Sequence, residues 1–124
     1  SLFNGIWTTI KFMKIYHNPR CTKSRQVLAL LQENGVEPQV VEYLKDLLTT
    51  EALSELIGFL GIEPIALVRK NEAVWKEQFK GKELSDKQVI KAMVENPKLI
   101  ERPIVVKQKK AVLGRPPENV LQLL

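Results

Sequence analysis

Residues 17–25 read HNPRCTKSR and hold the chain's one cysteine, Cys21, and its one histidine, His17. A cysteine that only packs behaves as a small buried hydrophobe. Cys21 instead follows Asn18-Pro19 in a polar, basic stretch, where a short strand gives way to a helix. A helix N-terminus presents amide N–H groups with no intrahelical partner and a partial positive charge. Both favour a thiolate over a thiol, and Arg20, Lys23 and Arg25 add charge in the same stretch. Cys21 is therefore the candidate nucleophile, and the same amides suit a bound oxyanion. His17 could serve as its base, or equally be a hydrogen-bonded histidine at the strand end. Ser24 stands where C-x-x-C enzymes carry a second cysteine, so redox turnover at Cys21 needs a thiol from outside the chain.

Absent motifs narrow the chemistry. Val27 occupies the place where a C-x5-R phosphatase loop needs its arginine, which argues against tyrosine-phosphatase chemistry. One cysteine and one histidine cannot build a zinc site of the usual kind, nor an internal disulfide. A lone thiol fits a reducing cytosol, so a cytoplasmic protein is expected. Neither G-x-G-x-x-G nor a Walker A sequence occurs, so no bound cofactor is expected. The net charge of +5, from 19 basic and 14 acidic residues, is spread without long runs, and aromatic residues are only 6%. A small anionic substrate suits that pattern better than nucleic acid, and few aromatics favour a monomer. No apolar run is long enough to span a membrane. Arg69 at the end of ALVRKN, Arg102 before Pro103 and Arg115 before Pro116-Pro117 stand out by context, whereas Trp75 and Phe79 read as packing.

These residues must be held by regular elements. Met13–Tyr16 alternates apolar and polar residues and reads as a strand; QVLALLQENG reads as a helix stopped by Gly35. Gln39–Tyr43 is a second strand, giving a right-handed βαβ unit. Thr49 or Thr50 caps a helix with Leu53, Leu56, Ile57 and Leu60 on one face, ended by Gly61. Pro64 opens a short helix, and Ser85 with Gln88 forms a capping box for another that closes at Asn96-Pro97. Pro103–Val106 and Ala111–Leu113 form a hairpin about a turn over 107–110, and ENVLQLL is a last helix. The order β-α-β, helical block, β-β-α is that of an α/β thioredoxin-like fold with a mixed sheet and an inserted helical block over about 48–96. Residues 1–12 lack the features of a signal peptide and read as a tag or upstream extension, with one domain over 13–124 and Met13 as its natural start.

Together, IYHNPRCTKSR, EPIALVRKN, ERPIVV and LGRPPENVL resemble the glutaredoxin-coupled arsenate reductase family, in order and over nearly all of the chain from Met13. The resemblance implies that Cys21 attacks arsenate, or a similar small oxyanion, at its central atom. It implies that Arg69, Arg102 and Arg115 grip the oxyanion and the covalent intermediate, and that His17 and Ser24 help keep the nucleophile ionised. It also implies a cis bond at Arg102-Pro103, glutathione as co-substrate and glutaredoxin as partner. Two other activities fit the same fold. One is a glutathione-dependent reductase of protein mixed disulfides. The other is a non-catalytic regulator that binds RNA polymerase, although such regulators commonly carry a C-x-x-C switch and Ser24 argues against it.

Overall fold

A computed structural model describes residues 13–124, so the reading of residues 1–12 lies outside the described residues. The chain divides into two compact units. One runs through Tyr43 and resumes over Arg102–Leu124; the other is Leu44–Glu101, which contains the expected helical block.

The first unit is built on a four-stranded sheet of order β2-β1-β3-β4. Its strands are β1 (Met13–Tyr16), β2 (Gln39–Val41), β3 (Ile104–Lys107) and β4 (Lys110–Leu113). β1 and β2 run parallel, with Ile15 opposite Val40, and are joined through α1 (Thr22–Glu33). β3 runs antiparallel to β1, and the β3–β4 hairpin completes a mixed sheet, the α/β thioredoxin-like arrangement that the element order implies. β2 stops at Val41, short of the expected Tyr43. β3 starts after Pro103, whose missing N–H cannot join a ladder, and extends to Lys107. The hairpin turn is therefore only Gln108-Lys109, and Gln108 carries a left-handed φ of 57°. α1 begins four residues before Gln26 and ends at a Schellman motif, in which the Gly35 and Val36 amides donate to Gln32 and Leu31. Gly35 supplies the left-handed φ of 79° that this ending requires.

The core of this unit joins sheet and helix through Met13, Ile15, Val27, Leu31, Val36, Val105, Val120 and Leu123. Burying large aliphatic side chains of this kind contributes roughly 1.5–3 kcal/mol each. The closing element is a 3-10 helix over Pro117–Leu123 rather than the expected α-helix. Its bonds span three residues, as from Asn119 N to Pro116 O, and it opens on Pro117, a residue suited to a first helical position because the amide there has no intrahelical partner.

The second unit contains α2 (Thr50–Leu60), α3 (Ala73–Gln78) and α4 (Asp86–Glu95), with 3-10 turns at Pro64–Leu67 and Pro97–Leu99. Thr49 Oγ1 accepts from Ala52 N, and the Ser85–Gln88 capping box has both of its hydrogen bonds. Leu53, Leu56 and Ile57 of α2 and Val89, Ile90, Ala92 and Met93 of α4 are buried. α3 has no side-chain cap at Glu72 and spans only six residues, too little to leave a periodic signal. Trp75 and Phe79 pack with ring centroids 5.4 Å apart.

Candidate active site

The strand-to-helix junction after β1 places Cys21 at the N-cap of α1, with extended backbone angles of −93° and 122°. Its side chain makes no ordinary capping hydrogen bond. The amides of Ser24 and Lys23, in the first turn, nevertheless act directly on the sulfur. Cys21 is 8% exposed, more enclosed than its polar sequence neighbours suggest. Burial pushes the thiol up. The Ser24 amide, the charge of Arg102, the Lys23 amide and a hydrogen bond from Arg102 outweigh it, so the thiol sits below its ordinary range. The arginine whose charge favours the thiolate, Arg102, comes from a segment distant in sequence.

Arg102 and Arg115 reach the thiol from either side of the hairpin. Arg115 Nη2 lies 3.9 Å from Cys21 Sγ, and Arg115 Nε donates to Arg102 O at 2.9 Å. Both arginines precede cis prolines, at Arg102-Pro103 and Arg115-Pro116. The resemblance anticipates the first bond, while the second has no signal beyond Arg-Pro-Pro.

His17 and Ser24 form a buried pair, Nδ1 to Oγ at 2.6 Å, at 6% and 0% exposure. The Asn18 amide donates to the same Oγ at 3.0 Å. Burial lowers the His17 pKa, Glu42 raises it and Arg25 lowers it, leaving it below the ordinary value. A neutral imidazole accepts from the Ser24 hydroxyl, so that hydroxyl serves the loop while the Ser24 amide serves the sulfur. Arg25 braces the same loop by donating to Pro19 O at 2.9 Å and Thr22 Oγ1 at 3.2 Å. Sequence reasoning credited Arg25 with charge alone and did not single out this brace.

Arg69 lies in the second unit. Its Nη1 pairs with Glu72 Oε1 at 2.6 Å, its Nε stands 3.8 Å from Glu101 Oε1, and its amide donates to Leu99 O. Cys21, Arg102, Arg115, His17 and Ser24 thus gather in the first unit, and Arg69 is held by carboxylates in the other. Among the described residues, no group of three or more His, Cys, Asp or Glu is placed to hold a metal ion.

The chain is similar to known proteins in sequence and in fold. The ArsC family pattern matches residues 16–123. A solved structure named as arsenate reductase from Vibrio cholerae superposes with a TM-score of 0.87 at 49% identity, covering 90% of this chain and 97% of that one. The arsenate reductase of Haemophilus influenzae is 40% identical over 112 residues, 89% of this chain and 97% of that protein. A protein of Escherichia coli K12 named as uncharacterized protein YfgD is 51% identical over 116 residues, 92% of this chain and 98% of its own length.

Proposed function

The chain belongs to the ArsC family, and from that premise we propose that it is an arsenate reductase with Cys21 as nucleophile and glutathione, with glutaredoxin, as electron source. The observation that carries this reading is the pair of arginines on the thiol, with Arg115 Nη2 at 3.9 Å from Sγ and the charge of Arg102 favouring the thiolate. An anion needs such donors on the side from which sulfur attacks, because thiolate and arsenate otherwise repel. In the proposed cycle the Cys21 thiolate forms a sulfur–arsenic bond and an arsenate oxygen leaves as water after protonation. Glutathione then attacks the adduct. Two electrons pass to arsenic, two external thiols become one disulfide, and arsenite is released with Cys21 regenerated.

The amides of Ser24 and Lys23 hold the attacking charge, and His17 with Ser24 fixes the loop that presents it. Arg69 joins the oxyanion set on the family resemblance alone. No bound cofactor is required, and the reaction is placed in the cytoplasm.

The test is arsenite formation with glutathione and glutaredoxin, compared between wild type and Cys21→Ser. Wild type is expected to turn over and the variant to be inactive; wild type at the variant's level overturns the proposal. Replacing glutaredoxin by thioredoxin separates the two reductant types. The chain's single cysteine also favours a second reading, reduction of glutathionylated protein, since a mixed disulfide needs only one attacking thiol. Release of glutathione from such a protein, without arsenite formation, would select it.

A further inference from the structure

Gly114 is buried at the end of β4, and a methyl group there would stand 2.7 Å from Val27 Cγ2, 3.0 Å from Pro103 Cγ and 3.5 Å from Val120 Cγ1. Close-packed interiors do not absorb the first of these contacts without movement. The neighbours have little room to give. Val27 is a β-branched, fully buried residue on a helix, Pro103 is a closed ring and Val120 is fully buried.

Each contact belongs to a part of the site. Val27 is on α1, whose N-cap is Cys21. Pro103 follows Arg102 and Gly114 precedes Arg115. The two arginine segments are laced together, with Gly114 N donating to Pro103 O at 2.9 Å and Arg115 Nε to Arg102 O at 2.9 Å. Asn119 Nδ2 buckles the same block by donating to Leu113 O at 3.3 Å and Arg115 O at 3.0 Å. One block therefore carries both arginines, and it meets the nucleophile's helix at Gly114.

We infer that Gly114 is a positioning residue, whose missing side chain sets the distance between the block bearing Arg102 and Arg115 and the helix capped by Cys21. A side chain at 114 moves the block off α1, and the guanidinium groups withdraw from the sulfur while the rest of the fold persists. The inference rests on the reading of Cys21 as nucleophile and adds a residue that never touches the substrate.

The test is the pH profile of Cys21 alkylation by iodoacetamide in wild type, Gly114→Ala, Val27→Ala and the Gly114→Ala/Val27→Ala double variant, with thermal melts alongside. In Gly114→Ala the apparent thiol pKa is expected to rise by about one unit, tenfold in the thiol–thiolate equilibrium. Val27→Ala alone should keep the wild-type profile, and the double variant, relieved of the shortest contact, should return most of the way to it. A folded Gly114→Ala with the wild-type profile overturns the inference, since the glycine would then serve packing alone. If Gly114→Ala does not fold, the double variant decides: folding with a near-wild-type profile supports the inference, and failure to fold or a raised profile overturns it. Alkylation reads the thiol whether or not arsenate is turned over, so absent arsenite formation in wild type would sink the proposed function and leave this result standing.

Discussion

His17 shows how a single buried side chain couples the site to pH. Its imidazole is 6% exposed and bonded to Ser24, and burial lowers its pKa, with Glu42 raising and Arg25 lowering it, to below the ordinary 6.5. In the unfolded chain it takes up a proton near 6.5; in the folded protein it does so only at lower pH. Between those two values the unfolded state binds more protons, so stability falls as pH drops through that window and levels off below the folded pKa. His17→Asn, which keeps a hydrogen-bonding side chain but cannot titrate, should flatten the Tm as pH falls below 6.5 relative to wild type. Parallel Tm curves for the two proteins would refute this. At this scale much was legible. A thiol after Asn-Pro at a helix start announces its own activation, and Ser24 announces an outside thiol. What could not be read is the direction in which each group points, because the Ser24 hydroxyl turns to His17 while its amide turns to Cys21.

Elements defined by local chemistry emerged where the sequence placed them. The Ser85–Gln88 capping box forms with both bonds, and Gly35 ends α1 in a left-handed conformation. Ser85→Ala removes one bond of the box and should cost about 1 kcal/mol, or a Tm lower by about 4 °C. A change within 1 °C by calorimetry would show that α4 is held by packing alone. The differences came where tertiary context decides. β2 is three residues long and α3 is six, lengths at which periodicity carries little signal. The closing element takes 3-10 rather than α bonding over Pro117–Leu123, a choice of hydrogen-bond partner that apolar spacing does not record. The activating charge from Arg102 arrives by a strand pairing, and no local window of sequence contains it.

At the scale of the whole molecule, the Ser24 and Lys23 amides and the Arg102 and Arg115 side chains described at the sulfur belong to the unit containing the sheet, while α2 to α4 have an apolar core of their own. Stability and thiol activation should therefore separate. Met93→Ala, at a fully buried position of α4, should cost about 2–5 kcal/mol by urea denaturation and leave the alkylation profile of Cys21 unchanged. A shifted profile in the folded variant would show that the second unit tunes the thiol. The βαβ order, the helical block and the hairpin together were enough to read this architecture, because each rests on runs of apolar residues with clear stops. The contact between Arg115 and Cys21 spans 94 positions of chain. A ribosome makes the nucleophile early and its activating arginines late. Until the hairpin emerges and pairs with β1, Cys21 has neither arginine beside it, and only the first-turn amides of Ser24 and Lys23 favour its thiolate. Cys21 thus gains the full set of groups that favour its thiolate only once the hairpin has been made and has paired with β1.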